Sequence, residues 1–231
     1  MQHYIEHGPA FAWLRTRLEP NESIVAEAGA MVRRSTALEV ETRLNASKKG
    51  GFVGLIVAFF VALMRKFFGG ETMFVNEFGG PQGGEVVLAP KLSGHILRKT
   101  LDGTRTLFVQ SGGYLASTAG IDTLLRFGGL RTLFGGEGLV LIQCTGQGDV
   151  FVNSYGGITE VPIDGQFVVD TGHIVAFDGA LDFKVRSIGG AKSFLFSGEG
   201  LVCEFRGRGT VYIQSRNLKA LVSWITPLLP G

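Results

Sequence analysis

A chain of 231 residues is long enough to bury a sizeable core, and 22 Lys and Arg against 20 Asp and Glu leave a net charge of only +2, which gives no electrostatic case for nucleic acid or an acidic substrate. Its 35 glycines stand singly and in pairs between apolar runs, without the period of collagen or the Pro and Ser of a linker, so they read as turns. Cys144 and Cys203 each lie in an apolar, strand-like run, which fits reduced buried thiols in a cytoplasmic protein rather than a disulfide scaffold.

From Tyr4 to Leu18, two short β-type runs are broken at Gly8-Pro9, and Glu19-Pro20-Asn21-Glu22 makes a turn. The start of the chain has no basic region followed by an apolar one, so the expectation is a protein without a secretory signal. A pattern then occurs three times, over approximately 22–80, 106–157 and 166–217. Each copy opens with two apolar pairs separated by a small residue and Gly: Ile24 to Val32, Phe108 to Ala116 and Val168 to Ala176. That reads as a strand, a tight turn or bulge needing positive φ at Gly29, Gly112 and Gly172, and a second strand.

Each copy closes with a glycine turn feeding a β-type run that ends in Asn or Gln: Gly69 to Gly80, Gly146 to Gly157 and Gly207 to Ser215. From corner glycine to closing aromatic there are 45 residues to Phe74, 39 to Phe151 and 40 to Tyr212, which marks these three as equivalent buried strand residues. Copies two and three share Gly136-Glu137-Gly138-Leu139-Val140 and Gly198-Glu199-Gly200-Leu201-Val202, with Phe134 and Phe196 just upstream. The predicted fold is all-β, a single domain over 1–231 made of hairpin and corner units in a barrel- or prism-like, pseudo-threefold arrangement.

Two stretches depart from this pattern. Residues 217–226 predict a short helix after Asn217, ended by Thr226-Pro227, with Leu218, Leu221, Val222 and Ile225 on one face to cap the core. The other is an apolar insert over 48–68, in which Gly51 to Met64 is uncharged and flanked by Lys48-Lys49 and Arg65-Lys66. As a helix its 14 residues reach about 21 Å, short of a hydrocarbon core of about 30 Å, so a simple membrane span is disfavoured. Being apolar on every side it needs cover, from another subunit, from the chain's own core or from a membrane surface held by the basic flanks. Phe52, Ile56, Phe59, Phe60 and Leu63 are the expected assembly or membrane contacts.

No constellation predicts catalysis, a cofactor or a metal. His3 and His7 lie in a β-type run, where their spacing puts the two side chains on one face about 13 Å apart, too far to share a metal. His173 occupies a corner position matched by Gly113 and Ala30, which suggests a turn residue. Asp164, Asp170, Asp178 and Asp182 stand mostly beside glycines, as turn caps do; a hydrolase would need them to converge in a pocket. Ser111 and Thr171 fall at matched corners without a nucleophile elbow or a nearby base. The glycine pairs lack the spacing of a nucleotide loop. Arg206-Gly207-Arg208-Gly209 beside Phe205 and Tyr212 is the best signal for RNA, although a solvated hairpin tip explains it more simply.

The Phe-Val-Asn strand end, the Gly-Glu-Gly-Leu-Val corner, the Glu-Ala-Gly-Ala-Met turn and the apolar insert together resemble a largely uncharacterised bacterial and archaeal family. That family includes the fungal mitochondrial protein named for altered inheritance of mitochondria. The resemblance runs from about Tyr4 to the C-terminal helix and implies a fold similar to that of the trp RNA-binding attenuation protein, homo-oligomers, trimers foremost, and no known enzyme activity. The mitochondrial relative is tied to inner-membrane organisation, a location that does not transfer to a chain without a presequence pattern. The insert is also more apolar than the family leads one to expect.

The expected function is that of a non-enzymatic, self-associating β scaffold, cytoplasmic and peripheral to the inner membrane if the insert meets lipid. The alternatives are a module binding RNA or a small ligand, and a hydrolase using the acids between Asp164 and Asp182. DNA is not an expected partner.

Overall fold

The computed structural model describes residues 1–44, 74–128, 139–187 and 201–229, and these are almost entirely antiparallel β. After β1 (Gln2–Glu6) come three repeats of one six-strand unit. The first comprises β2 (Trp13–Leu18), β3 (Ser23–Glu27), β4 (Met31–Arg34), β5 (Glu39–Leu44), β6 (Phe74–Gly79) and β7 (Gly84–Leu88). The second has β8 (Ile96–Asp102), β9 (Leu107–Gln110), β10 (Tyr114–Thr118), β11 (Ile121–Gly128) and the long β12 (Leu139–Asn153), which serves as the last two strands in one. In the third, β13 (Ile158–Asp170) fuses the first two positions; β14 (Ile174–Asp178), β15 (Asp182–Ser187) and β16 (Leu201–Gln214) complete it.

Strand register, not spacing, fixes which residues correspond. In every repeat the pairing slips by one residue at the same point: from Met31↔Leu88 to Arg33↔Val87, from Tyr114↔Val152 to Ala116↔Phe151, and from Ile174↔Ile213 to Ala176↔Tyr212. Val32, Leu115 and Val175 are thus three copies of one β-bulge, which turns the strand pair at the corner. The same registers align Val87 with Phe151 and Tyr212.

This corrects the first repeat. Phe74 is not the partner of Phe151 and Tyr212; it begins β6, which faces β3 and β5, with Val75 opposite Glu27. The equivalent residues are Leu141 opposite Gln110 and Val202 opposite Asp170. The near-equal spacing was a coincidence, because the β5–β6 connection is longer than its counterparts and puts 58 residues between Gly29 and the true equivalent, Val87. Each unit also starts one strand earlier than the sequence signals, since β2, β8 and the first half of β13 pair alike with β7, β12 and β16.

The corners differ in a second way. Gly29 has φ +89°, but Gly112 and Gly172 lie in 3-10 turns over Ser111–Gly113 and Thr171–His173 and lack positive φ. Glycine at 172 instead makes room for a close neighbour: a Cβ there would collide with the Asn217 side-chain amide, which would have to shift. The Asn and Gln that end the closing strands are staples. Asn153 Nδ2 donates to the Gly112 carbonyl and Gln214 Nε2 to that of Gly172, each tying its corner down.

Alternation along each strand sends one face inward, and the buried side chains gather into three cores in chain order. Leu18, Leu101 and Ile163 occupy one repeated buried position, and Leu38, Ile121 and Leu181 another. The cores interlock, since the first takes Leu115, Ala116 and Phe151 from the second repeat. The strands form a four-stranded and a twelve-stranded sheet, and among the described residues neither path returns on itself, so the units form an open row rather than a closed barrel.

The helix α1 (Leu218–Ile225) forms where the sequence predicts it, with the Asn217 side chain accepting from the amides of Lys219 and Ala220. It does not cap the core, however. None of its residues is buried, and the third core includes none of them.

Candidate functional site

Consecutive repeats are sewn together by one recurring strand pairing. In the first seam β10 of repeat two adds to β3 of repeat one, with Ala116↔Ala26, Ser117↔Val25 and Thr118↔Ile24. In the second, β14 of repeat three adds to β9 of repeat two, with Ala176↔Val109, Phe177↔Phe108 and Asp178↔Leu107. The strands that would continue the series are left over. Among the described residues β4 pairs only with β7, and residues 166–170 of β13 pair only with β16. The repeat registers would set Arg33 opposite Val169, Arg34 opposite Val168 and Ser35 opposite Phe167.

Burial separates the joined strands from the free ones. Ala26, Val109, Ala116 and Ala176 are fully buried, whereas Val32 is 50% exposed and Val168 48%, with Met31 and Phe167 also open to solvent. On the β4 side Arg33 is held 2.8 Å from Glu85, and the Arg34 guanidinium donates to the carbonyls of Ser35 and Leu38. Both arginines are therefore held within the first repeat, and among the described residues no strand covers the free edge of β4. The two edges bear unpaired N–H and C=O groups beside apolar side chains, the features by which one sheet recruits another strand.

A polar cleft of about 520 Å³, lined by His3, Tyr4, Glu22, Arg98, Thr118 and Asp149 among others, lies where β1 crosses from the first repeat to the second. Asp149 accepts from Thr100 Oγ1 at 2.6 Å and Arg98 Nη2 at 2.7 Å, and His3 Nε2 stands 3.8 Å from it. Burial works to raise the Asp149 pKa, but these hydrogen bonds and the Arg98 charge outweigh it and the carboxyl ends below its usual range. Burial lowers the His3 pKa, against the opposing pull of Asp149. At neutral pH the pair is a neutral imidazole beside a carboxylate. His3 Nδ1 lies 3.0 Å from Thr16 Oγ1 and the ring meets Phe151 edge-on, so the group clasps β1 to repeat two.

The residues singled out in the sequence are scattered over the fold. Phe52, Ile56, Phe59, Phe60 and Leu63, with the corner glycines Gly136, Gly138, Gly198 and Gly200, lie outside the described residues. His7 stands beyond β1 at φ +58° against Trp13, turned away from the strand that was to carry it alongside His3. His173 sits in its corner turn, with Nδ1 2.7 Å from the Gln214 carbonyl. Asp170 accepts from the Gly172 amide and Asp178 from the Thr210 amide, while Asp164 and Asp182 lie exposed on opposite flanks of β16, facing Arg208 and Arg206. The Thr171 hydroxyl donates to the Leu201 carbonyl. Arg206-Gly207-Arg208-Gly209 is not a hairpin tip, because it lies inside the continuous strand β16 and pairs with β13, and the flanking Phe205 and Tyr212 are buried. Cys144 and Cys203 are free and buried, and burial pushes both thiols up to about 12.

No local sequence signal marks the edges, but one becomes legible once the repeats are aligned by register. Arg33-Arg34 stands where the joined repeats have Ala116-Ser117 and Ala176-Phe177.

Residues 3–216 match the sequence model of a family described as mitochondrial biogenesis AIM24. The chain belongs to the AIM24 family. An uncharacterized protein of Streptococcus pyogenes serotype M6 is 30% identical over 233 residues, covering 100% of this chain and 92% of that relative. The crystal structure of a Streptococcus pyogenes protein from a structural genomics programme shares the fold at TM-score 0.80, with 28% identity and 99% of each chain covered. Among the described residues of this AIM24-family chain, no helix is long and apolar enough to cross a membrane.

Proposed function

We propose that this chain is a non-enzymatic scaffold that assembles head to tail with copies of itself, β4 of one copy adding to residues 166–170 of another. The observation that carries the reading is the repetition: the chain makes the same join twice internally and, among the described residues, leaves one half of it unused at each side. Such a contact is heterologous, with different surfaces on the two partners, so it makes a ring when its rotation closes. The family resemblance points to three chains. The polar side chains of the third repeat support scaffolding rather than chemistry, since Asp170, Asp178, Thr171 and His173 are each engaged with a backbone group.

A charge swap tests the join. In the proposed register, Val168→Lys places a cation opposite Arg34, and like charges directly opposed across strands are destabilising. Wild-type protein should show about three times 24.8 kDa by light scattering, Val168→Lys should shift toward 24.8 kDa, and adding Arg34→Glu should restore the assembly. A wild-type chain that is monomeric at every concentration, or a Val168→Lys variant that assembles like wild type, would refute it.

A further inference from the structure

The linkers between repeats form a ladder of their own. Ala12, His95 and Gly157 each stand immediately before the first strand of a repeat. Ala12 N donates to Gly94 O at 3.0 Å, and His95 N donates to Gly156 O at 3.1 Å, so each linker leans on that of the following repeat. Gly94 and Gly156 make a parallel bridge. The ladder continues to the end of β16, where Ser215 N donates to Gly157 O and Arg216 N to Tyr155 O.

Both ends of this ladder are apolar and exposed. At the last rung, where the earlier linkers run on into β8 and β13, the chain turns into α1 and presents Leu218, Val222 and Trp224, exposed by 46%, 54% and 68%. At the first rung stands Phe11, 72% exposed, in the position equivalent to the acceptors Gly94 and Gly156. The helix start is also anchored at the open edge. Asn217 Nδ2 lies 3.5 Å from Asp170 Oδ1, and Asp170 is the last residue of β13. In the second seam, Val175 packs on the corner at Gly113; the equivalent pair in a third seam is Val32 of the next copy against His173, one residue from the glycine that Asn217 covers.

We infer that the apolar face of α1 is the seat of the next copy's Phe11 loop, so that the helix replaces the internal linker at the junction between chains. The next rung would bring Leu218 of one copy beside Phe11 of the other, two apolar groups that otherwise stay in water. This rests on the head-to-tail reading. It adds a second contact that the strand edges alone do not supply.

Co-expressing a Phe11→Cys chain with a Leu218→Cys chain and treating the assembly with a short bismaleimide tests the inference. The native thiols are buried and should stay silent. The expected result is an interchain product that needs both substitutions and is lost when Val168→Lys is added. A multi-chain mass without that product overturns the helix contact but leaves the strand join standing. Product from Leu218→Cys alone would also overturn it, because the helices would then cover one another. A 24.8 kDa mass for wild type removes the strand join itself, and the helix contact with it. As a second variant, Val222→Asp, on the same helix face as Leu218, should weaken assembly without changing the folded β spectrum; assembly unchanged by Val222→Asp also counts against the contact.

Discussion

The two seams inside the chain and the two edges at its ends use the same backbone geometry but different side chains. At the closed seams Ala116 and Ala176 are fully buried and let β10 and β14 lie flat on the neighbouring repeat. At the open edge the same position is Arg33, 57% exposed and paired with Glu85. A permanent joint buries small and apolar groups, whereas an edge that must also survive in water carries charge beside its unpaired strand. In the proposed assembly one repeated join would serve both folding and association, with the side chains deciding which.

The largest contrast should come from placing the same charge at equivalent positions. Ala176→Asp buries an uncompensated carboxylate in the second seam and should cost about 3–5 kcal/mol, a large share of the stability of a typical domain. Arg33→Asp exchanges a partly exposed ion pair for a solvent-screened carboxylate beside Glu85 and should cost only about 1 kcal/mol in denaturant titrations of dilute protein. Similar losses for the two would erase the distinction between closed and open joins.

Phe151→Ala probes the core behind the first seam. Phe151 is fully buried in the first core although it belongs to the second repeat, so truncation should cost about 3–5 kcal/mol and loosen both units together. Wild-type-like melting would mean that the repeats do not share a core.

The smallest effect concerns pH at the β1 clasp. Burial holds the His3 pKa below its ordinary 6.5, so below about pH 6.5 the unfolded chain binds a proton that the folded chain refuses. Stability should therefore fall as pH drops from 6.5 toward the folded value. His3→Gln should flatten that part of the profile, and an unchanged slope would show that the clasp does not titrate with folding.

Much of the architecture was legible in the residues. The Ala28-Gly29, Ser111-Gly112 and Thr171-Gly172 corners are local signals, and they fall at the three repeated turns, with Asn217 starting the helix as its side chain dictates. Where the reading failed, the deciding physics was nonlocal. Phe74-Val75-Asn76 looks like Phe151-Val152-Asn153, and only cross-strand register shows that one faces β3 and the other β10. The helix has an apolar stripe, but a stripe does not say whether its own core or a second chain will cover it. The edges were hidden for the same reason. Arg33 becomes informative only when placed opposite Ala116 and Ala176 in the aligned repeats.

Hydrogen–deuterium exchange across a protein concentration series measures the central claim most directly, because it reads the backbone amides that the open join would use. Peptides covering 31–34 and 166–170 should become protected together as concentration rises, approaching the protection of β10 and β14, which stays constant throughout. Fast exchange of both segments at every concentration, or protection of one without the other, would contradict the head-to-tail join.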